Sequence, residues 1–225
     1  ARFFANPAAT LGLILLLLLA TGALAAGWII AVFDLDGRCE ASWPFTTNVV
    51  GQGDFRLELV GAHGTEVLIF YDNLFGGTVE LTALDVDTGA TRQQETAFGS
   101  AYFNEGATAM LSDGTVVLVN TAQGIVDVAG LSAPVDTGGQ NSWLFRTEFD
   151  FATLQPTSLF PYPPTDVAGH PGFVQQVTAL PQEQGYAVWM NEQSGAIDFT
   201  VDGSTVTAAK TTGDSYMVAF SAGQS

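Results

Sequence analysis

Past Phe33, no stretch of this sequence keeps a helical period long enough to fold as a helix. The recurring period is two. Phe55-Arg56-Leu57-Glu58-Leu59-Val60 alternates apolar and polar side chains, which is how a half-buried strand reads. Glu66-Val67-Leu68-Ile69-Phe70-Tyr71 is denser and suits a strand covered on both faces, and Thr78 to Val86 alternates again. The same spacing predicts strands over 108–111, 115–119, 125–128, 143–149, 174–180, 186–190, 196–201, 205–209 and 216–220. Turn words separate them: Asp87-Thr88-Gly89, Ser112-Asp113-Gly114, Asp202-Gly203 and Thr212-Gly213-Asp214. Many short strands at close spacing predict a mainly β fold, an antiparallel domain arranged as a sandwich or a propeller-like meander.

Ahead of this cadence, Ala8 to Phe33 carries no charged side chain and is centred on Leu11 to Leu19. As a helix it would reach about 39 Å, enough to cross a hydrocarbon core of about 30 Å. Pro7 suits a first turn with Asn6 as its cap. Arg2 precedes the run and Asp34, Asp36 and Glu40 follow it, so the positive-inside rule places the N-terminus in the cytoplasm and the rest outside. Ala23-Leu24-Ala25 before Ala26 would also serve a signal-peptide cleavage site. The apolar run continues past it through Trp28 to Phe33, which favours a retained anchor. The expected organisation is therefore a transmembrane helix over 1–34, a connector over 35–53 and an extracytoplasmic β domain over 54–225.

Charge narrows the function classes. There are 23 acidic side chains against 6 basic ones, a formal net charge of −17, and such a surface repels nucleic-acid backbones. Hydrophobic residues make up 47%, too many for a disordered acidic tail. The single cysteine, Cys39, precludes an intramolecular disulfide and a cysteine-built metal centre from this chain alone.

Asp-Thr-Gly occurs twice, at Asp87-Thr88-Gly89 and Asp136-Thr137-Gly138. It resembles the active-site signature of aspartic proteases, which implies two carboxylates sharing a proton and activating a water. Asp-Thr-Gly is equally a turn that ends a strand. Leu81-Thr82-Ala83-Leu84-Asp85-Val86-Asp87-Thr88-Gly89 is also similar to the strand-and-turn repeat of quinoprotein-type β-propellers, and Ser112 to Val119 has the same cadence. That resemblance implies a β-meander and names no cofactor. The pairs Asp85/Asp87 and Asp34/Asp36 could open a calcium loop, but neither continues with EF-hand spacing. His63 and His170, the only histidines, read as loop residues with no nucleophile motif beside them. Ser158 to Gly172, with four prolines, Phe160 and Tyr162, reads as an ordered surface loop and a candidate contact surface.

No catalytic, cofactor or metal residue is therefore expected. The expectation is a non-enzymatic, single-pass accessory or scaffold subunit of a larger membrane complex. Its partners would be other integral membrane subunits, packed against the Leu-rich helix at Gly12, Gly22 and Gly27, with bilayer contact through residues 8–33. A pilin-like filament subunit and a membrane-tethered ligand-binding or sensor domain are the alternatives.

Overall fold

The structure, a computed structural model, describes residues 13–16, 28–33, 36–45, 55–73, 77–103, 106–131, 133–138, 142–163, 174–179, 186–191, 197–201, 204–208 and 215–220. The described chain is mainly β, its sheets are antiparallel, and it contains no helix. The first sheet holds β1 (Leu13–Leu16), β2 (Trp28–Phe33) and β3 (Cys39–Phe45), in that order. The second is a meander of β4 (Phe55–His63), β5 (Glu66–Asn73), β6 (Thr78–Asp85) and β7 (Thr91–Ala97).

A two-residue strand, β8 (Tyr102–Phe103), leads into the third sheet, built on β9 (Ala107–Met110) and β10 (Thr115–Gln123). The small hairpin of β11 (Ile125–Val126) and β12 (Val135–Asp136) interrupts it, and β13 (Trp143–Asp150) and β14 (Pro156–Tyr162) complete it. Its path runs β14-β13-β10-β8, with β9 also on β10. Beyond lie β15 (Val174–Ala179), β16 (Tyr186–Asn191), the hairpin β17 (Ile197–Val201) with β18 (Ser204–Ala208), and β19 (Ser215–Phe220). Of these, β15, β16 and β19 form one sheet.

Strand alternation explains how the sheets stack. Leu68 and Phe70 of β5 point one way, with Val79, Leu81 and Ala83 of β6, and meet Val116 and Leu118 of β10 and Phe145 and Phe149 of β13. Val67 and Ile69 point the other way and pack with Leu84, Val86 and Trp43 of β3. On the far face of the third sheet, Val117, Val119, Leu144 and Tyr162 pack with Val177 of β15 and Val188 of β16. Successive sheets thus face one another, and the second and third are covered on both sides. That double cover is why Glu66 to Tyr71 and Thr115 to Val119 read as nearly unbroken apolar runs.

Three expectations change on inspection. The polar segment Thr91–Ala97 is a strand, because β6 supplies a full ladder for it from Thr78↔Ala97 to Leu84↔Thr91. Pro156–Tyr162 is also a strand, although the sequence reading made Ser158 onward a loop. Among the described residues it is the end strand of its sheet, a position that tolerates proline because the outer side of the strand has no ladder to complete, and Pro161 stands opposite Phe145. The remainder of that Pro-rich stretch, from 164 to 172, lies outside the described residues. Cys39–Phe45, read as connector, is paired to β2 and carries Trp43 onto the second sheet.

Within the apolar run at 8–33, the described residues are Leu13–Leu16, paired with β2, and Trp28–Phe33, whose β-branched Ile29, Ile30 and Val32 suit a strand. The rest of the expected transmembrane helix lies outside the described residues. Among the described residues no helix is long and apolar enough to cross a membrane.

Candidate functional site

The most ordered polar feature is a turn that occurs twice. Where β6 ends, Asp85 Oδ1 accepts hydrogen bonds from the Asp87 amide (3.1 Å), the Thr88 amide (2.8 Å) and Thr88 Oγ1 (2.7 Å). Thr65 Oγ1 donates to the other carboxylate oxygen at 2.7 Å. The main chain closes around this staple: the Gly89 amide donates to the Asp85 carbonyl and the Asp85 amide to the Ala90 carbonyl. Thr88 Oγ1 in turn accepts from the Ala90 amide.

Where β13 ends, Asp150 repeats the pattern. Its Oδ1 accepts from the Thr153 amide (2.7 Å) and Thr153 Oγ1 (2.8 Å). The Leu154 amide donates to the Asp150 carbonyl, the Asp150 amide to the Gln155 carbonyl, and the Gln155 amide to Thr153 Oγ1. The offset that carries Asp85 onto Asp150 also carries Thr78–Asp85 onto Trp143–Asp150. An aspartate's short side chain reaches the amides two and three residues on, and a threonine hydroxyl there can donate to it while accepting from the next turn. The fifth position is left-handed in both: Gly89 at φ +75° and Leu154 at φ 59°. Glycine takes that conformation without strain and leucine does not.

These bonds all favour the charged carboxylate. Asp85 is held below the usual carboxylate range by the Thr65 hydroxyl first, then by Thr88. Asp150 is held down by the Thr153 hydroxyl and amide.

Each turn is also gripped by the preceding sheet. Trp43 Nε1 donates to the Val86 carbonyl at 3.1 Å, and the indole lies so close to Gly89 that a β-carbon there would fall 2.3 Å from Cε3. At the second turn Arg92 takes this place. Its Nη1 donates to the carbonyls of Phe151 (3.4 Å) and Ala152 (2.6 Å), while Nε and Nη2 hold Glu66. Its guanidinium carbon stands 5.6 Å from the centre of the Phe151 ring. Val86 and Phe151 are equivalent residues, and β3 and β7 are the last strands of their sheets.

The residues singled out from sequence fall into separate settings. Asp87 is exposed in the first turn, where Asp85 carries the hydrogen bonds. Asp136 lies on β12, and its Oδ1 accepts from the Gly138 amide. Thr137 is buried and exchanges bonds with Gly124, Oγ1 accepting from the Gly124 amide and its own amide donating to the Gly124 carbonyl. The two Asp-Thr-Gly copies are structurally unlike, whereas a carboxylate dyad of the protease kind is built from two like loops. His63 ends β4 and stacks at an angle on Phe151, 5.3 Å between centroids. Cys39 is exposed on β3. Asp34 and His170 lie outside the described residues.

Sequence reading missed a second polar feature, at the other ends of β5 and β6. Glu80 and Asp72 are buried, and Glu80 Oε1 accepts from Thr82 Oγ1 at 3.2 Å. Tyr71 stands opposite Glu80, and burial, then Glu80 and Asp72, push its phenol above the ordinary range. In the sequence Glu80 occupies the outward position of an alternating strand. Its face of β6 is the one that carries Leu84, on which Trp43 of the first sheet packs, and there Glu80 is buried. Comparison with known protein families, with curated proteins and with solved structures returns no match.

Proposed function

We propose that this chain is a non-enzymatic scaffold module, displayed outside the cytoplasm and serving as an accessory subunit of a larger membrane assembly. The observation that carries this reading is the repeated turn. The acids and threonines that most resemble catalytic furniture are engaged in holding strand ends, and the side chains next to them bind one sheet to the next. A stack with both faces covered offers a partner its turns, edges and inserted hairpin. The arrangement favours a propeller-type succession of sheets over a two-sheet sandwich, since each inner sheet has two packed neighbours.

The apolar segment 8–33 supports the membrane part of the reading. Insertion of this segment as a helix would take both Leu13–Leu16 and Trp28–Phe33 out of the first sheet. Lipid would favour that change, because a helix satisfies its own backbone groups where water is absent and an open sheet edge does not. Arg2, just ahead of the segment, supports a cytoplasmic N-terminus and an outside location for the sheets.

The test is mild detergent extraction from native membranes, size-exclusion chromatography and identification of the co-eluting chains. Stoichiometric elution with multi-pass proteins is the expected result. Elution alone as a small monomer sinks the accessory-subunit reading and favours a tethered binding domain, and a long self-polymer favours a filament subunit.

A further inference from the structure

Among the described residues, two polar side chains in the seam between the second and third sheets have buried polar atoms with no hydrogen-bond partner. Asn120 on β10 is 1% exposed and Thr147 on β13 is fully buried. Both atoms of the Asn120 amide, Oδ1 and Nδ2, and the Thr147 hydroxyl are unpartnered. Alternation fixes where they point. Leu118 and Ala122 flank Asn120 on its face of β10, Phe145 and Phe149 flank Thr147 on its face of β13, and all four belong to the core shared with Leu68 and Phe70. Asn120 and Thr147 therefore face the second sheet from adjacent strands.

The register places them diagonally, since Asn120 stands opposite Phe145 and Leu118 opposite Thr147. Diagonal neighbours are separated by roughly 7–8 Å between α-carbons; the two side chains do not bond each other, and the gap suits one intervening group. Beside them Gly106 is buried, and a β-carbon there would come within 3.0 Å of both Asn120 Cβ and Leu118 Cδ1, so the adjoining position on the β9 side has no side chain. Thr108, across β10 from Leu118, already donates through its hydroxyl to Glu58 Oε2 at 3.2 Å, which shows that this seam accommodates polar groups from both sheets.

We propose that an internal water molecule bridges Asn120 and Thr147 as a built part of this seam. An amide offers both donors and acceptors and a hydroxyl offers one donor and two acceptor sites, so a single water can satisfy groups on two strands at once. Buried polar groups lacking a protein partner are the usual hosts of such waters. The bridge would tie β10 to β13 inside the third sheet, because it forms only while Asn120 and Thr147 keep the diagonal register of their ladder.

A high-resolution crystal structure is the direct test. The expected result is a solvent peak within about 2.7–3.2 Å of the Asn120 amide and Thr147 Oγ1. A dry seam, with the Asn120 amide turned onto a backbone group, would overturn the proposal. Thr147→Val preserves shape and removes the hydroxyl, and it should lower Tm by about 2–4 °C while Thr147→Ser keeps the solvent peak. A folded Thr147→Val protein with unchanged or raised Tm would count against the bridge. Should Thr147→Val fail to fold, the Asn120→Leu/Thr147→Val pair provides the reading, because removing both polar partners leaves nothing for a water to bridge. Recovery of a folded protein is then expected, and a second failure would overturn the assignment.

Discussion

Trp43 Nε1 lies 3.1 Å from the Val86 carbonyl, and this one bond joins the last strand of the first sheet to the turn that ends β6 in the second. The indole can reach it only because residue 89 lacks a side chain. Gly89→Ala would put a methyl group into the ring and force alanine into a left-handed conformation. The expected cost is about 2–4 kcal/mol, from backbone strain and displaced packing together. Denaturant unfolding would measure it. A shift in tryptophan fluorescence that disappears in a Trp43→Phe background would assign it to this contact. A loss equal in the two backgrounds would mean that the ring contact contributes nothing.

Arg92 performs the corresponding task at the next turn with charge in place of an aromatic ring. Its bidentate pair with Glu66 is partly solvated, the two side chains being 38% and 27% exposed, so a double-mutant cycle of Arg92→Met and Glu66→Gln should give a coupling of about 0.5–1 kcal/mol. Arg92→Met alone should cost more than that coupling, since it also strips the bonds to the Phe151 and Ala152 carbonyls. Equal values would show that those carbonyl contacts are energetically silent.

Acid should loosen both turns. Asp85 and Asp150 bind protons less readily folded than unfolded, so their contribution is complete above the ordinary carboxylate range and is lost as pH falls through their lowered values. Thermal unfolding followed across the acid range should show Tm declining below the ordinary carboxylate range. The Asp85→Asn/Asp150→Asn variant should be less stable at neutral pH and should decline less steeply. A parallel curve would place the acid sensitivity outside these two turns.

Leu154 holds a left-handed backbone at φ 59° while its side chain is buried in the core between the second and third sheets. Leu154→Gly removes about 1–2 kcal/mol of backbone strain and forfeits about 2–5 kcal/mol of packing. The expected net effect is destabilisation by about 1–3 kcal/mol. Stabilisation in urea unfolding would show that strain outweighs burial at this site.

Replacing Asp87 or Asp136 singly with Asn tests the resemblance to protease loops. The turn around Asp87 is held by the Asp85 carboxylate and the Thr88 hydroxyl, so Asp87→Asn should leave Tm unchanged. Asp136→Asn retains an oxygen to accept from the Gly138 amide and should do the same. Peptide hydrolysis by the parent chain that either variant abolishes would reverse the non-enzymatic reading.

What the sequence determined by itself was local. Alternation and turn words located β4, β5, β6, β10, β13 and β16 within a residue or a few, because period two and the left-handed demands of Asp-Thr-Gly or Asp-Gly belong to short segments. Among the strands it missed, Thr91–Ala97 and Pro156–Tyr162 have polar or proline-rich sequences and exist because a neighbouring strand offers them a ladder. The same limit hid the turn repeat: Asp-Thr-Gly suggested a kinship between Asp87 and Asp136, whereas the matching carboxylates are Asp85 and Asp150, whose turns share Asp and Thr three apart but differ at Gly89 and Leu154. Tertiary structure alone decided that Trp43 and Arg92 would close on those turns, that Glu80 and Asp72 would be buried, and that Asn120 and Thr147 would face one seam. Each depends on which sheet packs against which face, a property of segments distant in the chain.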